Sequence, residues 1–301
     1  MRPIILNEPF RAVFYAPFYV AELRGHYARQ GLEVRRDTAG DPSKAAENLL
    51  AGRADVAWSG PMRPILLRAK DASCPLRSFC AVVMKDPFYL VGRGPRPGFS
   101  LRDLASLRLG SVSEVPTPWW CLQEDIRQAG LDPVALNPVT DRSMAQNGEA
   151  VLAGTLDVAQ MFEPFATQFE ARGAAVWHAA ALRGPSAYSA LYATEAKLRD
   201  LAEEFRAMIR AIGEALAWVA RATPAEIAET VAPLFPEIGR DVLTASLARY
   251  QCNGIWSATP HFPRDAFESL RAAMRSAGVI AREPLFEECV DEAIVAGALG
   301  D

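Results

Sequence analysis

The side chains able to do chemistry in this 301-residue chain are spaced for binding rather than for catalysis. Its three histidines, His26, His178 and His261, lie far apart, and its five cysteines, Cys74, Cys80, Cys121, Cys252 and Cys289, form no Cys-x-x-Cys pair. Neither set has metal-ligand or redox spacing, so neither a metal nor a cofactor is expected. The cysteines read as small buried hydrophobes. Aromatic groups, in contrast, are clustered. Phe14, Tyr15, Phe18 and Tyr19 follow the first apolar segment; Phe14 or Tyr15 can stack on a flat ligand, while Phe18 and Tyr19 suit the core. Ser59-Gly60 joins a hydroxyl to a residue that lets a ligand approach the backbone. Trp119 and Trp120 are neighbours, and on a helix they point about 100° apart. One of them must therefore leave the core, and Trp119 is assigned to a cleft, just after Glu114 and Thr117. Glu163 stands between Phe162 and Pro164. A carboxylate there would hold an amine or an amidine-like heterocycle by charge-assisted hydrogen bonds and would repel a sulfonate. Asp41 and Ser43 either touch ligand or cap a helix, and their order before an apolar stripe favours the cap.

The elements that must position these groups are announced by a repeat. Leu50-Ala51-Gly52-Arg53-Ala54-Asp55-Val56-Ala57 returns as Leu152-Ala153-Gly154-Thr155-Leu156-Asp157-Val158-Ala159. Each copy is preceded by a helix-ending phrase, Gln30-Gly31-Leu32-Glu33 and Ala129-Gly130-Leu131-Asp132, and each is followed by a proline, Pro61 and Pro164. That period is too long for a solenoid unit; it predicts two lobes of similar design. Gly52 and Gly154 close helices, and the shared Asp55 and Asp157 are expected to bond backbone at a strand start. Strands and helices alternate through about residue 193, with strands expected at 4–6, 32–36, 55–58, 79–84, 88–91, 108–112, 134–139, 157–161, 174–179 and 189–193. This order predicts mostly parallel sheets flanked by helices. Beyond 195 the chain is nearly all helical, beginning with one long 3.6-periodic run over 195–222. Ligands in such sheets sit outside the carboxyl ends of strands, which selects the loops at 14–19, 40–43, 59–62, 113–120 and 162–164.

Bulk properties exclude other classes. Half the residues are hydrophobic and the net charge is −4, so a core forms without staples and no basic surface for nucleic acid exists. No apolar run is long enough to span a bilayer. Met1-Arg2-Pro3 runs straight into an apolar segment rather than a leader-like stretch; the protein is expected to be periplasmic if a signal peptide has been removed, and cytoplasmic otherwise.

Gly25-His26-Tyr27-Ala28-Arg29-Gln30-Gly31-Leu32-Glu33-Val34, followed by Leu49 to Val56, resembles the Gly-x-Phe-x-x-x-Gly-Leu-x-Val and Leu-x-x-Gly-x-x-Asp-Val phrases of solute-binding proteins of ABC importers. The resembling group handles thiamine-pyrimidine precursors, aliphatic sulfonates and nitrate, and the resemblance covers roughly residues 4–220. It implies a two-lobed type II periplasmic-binding-protein fold, an α/β architecture with lobe I formed by residues 1–85 plus 188–301 and lobe II by residues 86–187. Chain crossings near 83–87 and 186–192 would serve as the hinge. It further implies a monomer that delivers a small molecule to importer membrane subunits. The cleft set is then Phe14, Tyr15, Ser43, Ser59, Gly60, Glu114, Thr117, Trp119, Phe162, Glu163 and Tyr188. The aromatic loops and the two glutamates favour a flat nitrogen heterocycle of the pyrimidine type, with a sulfonate or nitrate as the alternative. An enzyme branch of the group makes the thiamine pyrimidine, but its Cys-Cys-Cys-Phe-Cys motif is absent here. A ligand-sensing module that signals to a partner is the third reading.

Overall fold

The computed structural model describes residues 3–300. Its strands are β1 (Ile4–Glu8), β2 (Val34–Thr38), β3 (Val56–Ser59), β4 (Leu76–Val83), β5 (Tyr89–Arg93), β6 (Leu109–Gly110), β7 (Val158–Met161), β8 (Ala174–Ala179) and β9 (Ser189–Thr194). Helices of the sheet-bearing region are α1 (Ala16–Leu23), α2 (His26–Arg29), α3 (Pro42–Leu50), α4 (Met62–Lys70), α5 (Thr117–Gln128), α6 (Met144–Leu152) and α7 (Phe165–Glu170). The C-terminal part adds α8 (Glu195–Asp200), α9 (Ala202–Val219), α10 (Pro224–Val231), α11 (Arg240–Asn253), α12 (Arg264–Ser276), α13 (Phe286–Cys289) and α14 (Glu292–Leu299).

Two sheets result, ordered β2-β1-β3-β9-β4 and β6-β7-β5-β8. Both are mixed rather than mostly parallel. β1 pairs parallel with β2 and β3, but β9 runs antiparallel to β3 and β4, and β5 runs antiparallel to β7 and β8. The antiparallel pairs arise because β4 and β5, and later β8 and β9, are successive strands placed in different sheets. The chain crosses once between Val83 and Tyr89 and returns between Ala179 and Ser189. Residues 189–192, expected at a hinge, accordingly lie inside β9.

The repeated phrases build the same local geometry twice. Gly31 and Gly130 end their helices at φ of +75° and +83°, and Leu32 and Leu131 each donate an N–H back to the carbonyl five residues earlier, on Tyr27 and Ile126. This is the helix-terminating turn that favours glycine. Asp55 Oδ2 accepts the N–H of Ile5 at 2.9 Å, and Asp157 Oδ2 accepts the N–H of Arg108 at 2.8 Å. Each aspartate thus anchors the strand it starts to its neighbour. The following strands, β3 and β7, are buried along their whole length, as central strands covered on both faces must be.

Two expected elements differ. Residues 134–139 form turns and a single bridge from Val139 to Gly110 rather than a strand. Pro133 precedes the segment and Pro138 lies within it, both without N–H donors, and Asn137 adopts φ +43°. The long run 195–222 is two helices, α8 and α9, separated at Leu201, whose φ/ψ of −118°/32° leaves the helical region. The buried face of α9, with Phe205, Ile209, Ile212 and Leu216, packs on α1, α2 and α14, so the C-terminal helices close over the five-stranded sheet.

Candidate ligand-binding site

A hollow lies where the loops of the two sheets face one another. Its walls carry Phe10, Phe14 and Tyr15 after β1, Ser59 to Arg63 after β3, Val115 to Pro118 at the start of α5, and Phe162 after β7. Phe88 and Tyr188, from the two crossings, form its back. Each wall therefore follows the carboxyl end of a strand or belongs to a crossing, as strand polarity requires. A mostly apolar, aromatic lining with a few polar groups is the kind that binds small organic molecules.

The aromatic groups of opposite lobes touch. Phe162 meets Phe14 edge-on with ring centroids 5.4 Å apart, and it meets Phe88 at 5.1 Å. Phe14 in turn contacts Tyr15 at 4.4 Å and Phe10 at 6.4 Å. Burial holds the Tyr15 hydroxyl protonated far above the ordinary range, against the lowering effect of its hydrogen bond with Ser189. Gly60 is closely packed in this wall: a Cβ there would sit 3.2 Å from Met62 Cγ and 3.4 Å from the Tyr188 carbonyl oxygen. Arg63 brings the one cation to this wall; its Nε is buried without a hydrogen-bond partner among the described residues. Nearby Asp41 is held below the usual carboxylate range by the N–H of Lys44 and of Ser43, which it caps, and by the charges of Lys44 and Arg63.

The back wall is stiffened by a buried ionic knot. Arg183 on the second crossing donates to Asp86 on the first at 2.9 Å and to Asp125 of α5 at 2.6 Å. Burial opposes the guanidinium charge, but Asp86 and Asp125 outweigh it and raise the Arg183 pKa. Asp86 also accepts the N–H of Phe88 at 2.9 Å. The knot fixes the two crossings and α5 relative to one another, and with them Phe88, Tyr188 and the Pro116–Pro118 turn.

Of the residues singled out from sequence, Phe14, Tyr15, Ser59, Gly60, Thr117, Phe162 and Tyr188 are brought together in this hollow. Glu114 lines an adjoining outer hollow with Phe10, Gly40, Asp41, Pro42, Val115, Met144 and Phe162, and its Oε1 accepts the Met144 N–H at 2.8 Å. Ser43 stays in the first turn of α3, and its neighbour Pro42 reaches the wall instead. Trp119 does not face the hollow. The turn that enters α5 presents Thr117, and Trp119, two residues on, is rotated about 200° away; it packs with the core around Leu104 and Leu122. Glu163 also departs from expectation. Its carboxylate is fully buried and turned from the hollow toward Arg249, 3.0 Å away, and Thr167 N–H, 3.0 Å away. Burial raises its pKa, against the lowering pull of Arg249 and of its bonds with Thr167 and Ser246. Trp58 is buried and stacked on Phe18 at 4.6 Å, and Trp256 supports the wall from behind by donating its indole N–H to the Phe14 carbonyl at 2.8 Å.

Phe10, Arg63 and Phe88 enter the site without having been assigned to it from sequence, and Met62 joins them from the end of the selected 59–62 loop. Phe10 and Phe88 had a signal, since Phe10 lies two residues beyond β1 and Phe88 directly precedes β5. Arg63 had a weaker one, at the first turn after Ser59-Gly60-Pro61. Among the described residues no group of three or more His, Cys, Asp or Glu side chains is arranged to hold a metal.

Comparison with known proteins agrees with this architecture. Over 292 residues, 95% of this chain and 87% of the relative, the sequence is 25% identical to the "Putative binding protein YtlA" of Bacillus subtilis (strain 168). The structure superposes on the periplasmic aliphatic sulphonate binding protein SsuA of Escherichia coli with a TM-score of 0.77 at 13% identity, covering 98% of this chain and 99% of that one. It superposes on the ligand binding component of an ABC-type import system from Staphylococcus aureus, solved with zinc bound, with a TM-score of 0.76 at 14% identity and 99% coverage of both. These likenesses show the two-lobed α/β fold of periplasmic binding proteins. Residues 14–227 match the family described as NMT1/THI5 like, and, with well over half its length so matched, the chain belongs to that family.

Proposed function

We propose that this protein is the solute-binding component of an ABC importer, and that it captures a flat ring bearing an anionic group between its lobes and releases it unchanged. The observation that carries this reading is the hollow itself: aromatic walls from both lobes, with Arg63 set beside Ser59 and Gly60. Stacking on Phe14, Tyr15 and Phe162 would take the ring, and the guanidinium would take the anion. A neutral pyrimidine finds no carboxylate in the inner hollow, because Glu163 is committed to Arg249 and Glu114 lies in the outer one. Aryl sulfonates and the phosphate ester of the thiamine pyrimidine satisfy both requirements.

A thermal-shift and calorimetry panel tests this, using toluene-4-sulfonate, the thiamine pyrimidine, its phosphate ester and a linear alkanesulfonate. A ligand present at a hundred times its Kd stabilises the fold by about 2.7 kcal/mol. The two ring anions are expected to raise Tm most, with no turnover of either. Arg63→Met is expected to weaken them about 10- to 100-fold, the range for losing one charge-assisted bond. Equal stabilisation by the neutral pyrimidine and its ester refutes the role of Arg63, and absence of any shift across the panel refutes the ligand class.

A further inference from the structure

We propose that one face of α11 is an interlobe catch that holds the lobes together and so sets ligand affinity from outside the hollow. The proposal rests on the reading of the hollow as a cleft between two moving lobes. Four side chains carry it: Ser246, Arg249, Tyr250 and Asn253, at i, i+3, i+4 and i+7 of α11, which places them on a single helix face. All four meet groups of the four-stranded-sheet lobe. Arg249 pairs with Glu163 at 3.0 Å and with Glu170 of α7, and lies over the Tyr89 ring at 5.6 Å. Tyr250 Oη accepts the N–H of Glu163 at 2.9 Å, and Ser246 Oγ lies 3.3 Å from the Glu163 carboxylate. Asn253 donates to the Tyr89 hydroxyl at 2.9 Å. The helix itself belongs to the other lobe, since it packs on α10 and on the Val13–Tyr15 turn.

The chemistry of this seam distinguishes a catch from a permanent weld. An apolar seam would resist separation because parting it exposes apolar surface to water. Apart from the stacking of the Tyr250 ring on the Tyr89 ring, with centroids 6.3 Å apart, the cross-lobe contacts given above for these four side chains are polar, ionic or cation-to-ring, and water can replace those when the lobes part. Polar interfaces between lobes are the kind that permit relative motion. The seam also reaches both walls of the hollow without entering it. Glu163 is bonded to Phe162 in sequence, and Tyr250 packs edge-on against Trp256, 6.1 Å away, whose indole holds the Phe14 carbonyl. Separating Glu163 from α11 would therefore draw Phe162 away from Phe14. Arg249 and Glu163 are positioning residues in this scheme, because neither lines the hollow.

Spin labels at Leu50→Cys and Val134→Cys, both exposed positions on opposite lobes, report the interlobe distance by pulsed electron resonance in a Cys252→Ser background. No ligand is needed, so the outcome is independent of whether any probe of the binding panel binds. The parent is expected to give one short distance. Arg249→Met and Glu163→Gln are each expected to add a longer-distance population, and the double variant to add no more than the stronger single, because both remove the same pair. Arg249→Lys, which keeps the charge, should restore part of the short population. If the closed fraction falls to one in ten, affinity for toluene-4-sulfonate falls about tenfold with the hollow's own residues unchanged. Should Arg249→Met fail to fold, Glu163→Gln alone decides. Distance distributions unchanged from the parent in the folded variants overturn the proposal, whatever happens to their Tm.

Discussion

Replacing the two repeated aspartates should cost the protein very different amounts, although their sequence contexts nearly coincide. Asp55 is 2% exposed; its carboxylate accepts the Ile5 N–H at 2.9 Å and the Lys197 ammonium at 2.7 Å. Asp157 makes the equivalent bond to Arg108 N–H, but its partner guanidinium is exposed and water reaches the site. In Asp55→Ala the Ile5 N–H, in the parallel pairing of β1, loses its acceptor at about 1–3 kcal/mol, and Lys197 loses a partly buried partner. A total of about 2–4 kcal/mol follows. An unfolding entropy of about 2.1 cal/mol/K per residue amounts to roughly 0.6 kcal/mol/K for this chain length, so Tm should fall by about 3–6 °C. Asp157→Ala should lower it by roughly a third of that or less, since water replaces the lost acceptor. Asp55→Asn keeps an oxygen for Ile5 and should fall between the parent and Asp55→Ala. The pH dependence separates the pair further. Asp157 is held at about 2 by its bonds with the Arg108 side chain and N–H. A depressed carboxylate contributes stability that is present above its unfolded pKa and is lost as pH falls from about 4 toward 2. The acid limb of Asp157→Ala should therefore be shallower than the parent's there. Calorimetry at pH 7 and along that limb measures all of these. An Asp157→Ala loss equal to the Asp55→Ala loss, or Asp55→Asn as damaging as Asp55→Ala, refutes the assignment of the energy to the buried backbone acceptor.

Two further outcomes test packing and burial. Gly148→Ala would place a Cβ 2.0 Å from Phe169 Cε2 on α7; overpacking of about 1–3 kcal/mol exceeds the helix-propensity gain of about 1 kcal/mol, so urea unfolding should show a lower midpoint, and an unchanged or higher midpoint refutes the fit. In the native protein one thiol per chain, the exposed Cys252, should react promptly with an aromatic disulfide. Burial raises the thiol pKa of Cys80 and pushes those of Cys121 and Cys289 up to about 12, so a second fast equivalent would contradict the burial of the others.

The repeat made the lobes legible because it encodes local geometry, and local geometry travels with sequence. Gly31 and Gly130 must end helices, and Asp55 and Asp157 must meet the strand beside them, wherever the units are placed. Strand-end loops are legible for the same reason, which is why the sequence places Phe14, Ser59, Gly60 and Phe162 at one cleft. Trp119 was misplaced by one turn geometry: the choice between two adjacent tryptophans depends on where α5 begins, and helix boundaries are the least determined feature of a sequence. Glu163 failed for a different reason. Its meaning lies in Arg249, 86 residues away in a helical tail whose 3.6-residue period shows which faces are polar but not what they meet. The face carrying Ser246, Arg249, Tyr250 and Asn253 becomes a seam only once β7 and α7 are laid against it. That contrast bears on how such a protein changes ligand. If the repeated scaffold, the crossings' ionic knot and the α11 seam together set how the lobes move, then the strand-end loops are free to vary in chemistry without disturbing that motion. A change at Arg63 should then alter which ligand binds, and a change at Arg249 should alter how tightly any ligand is held.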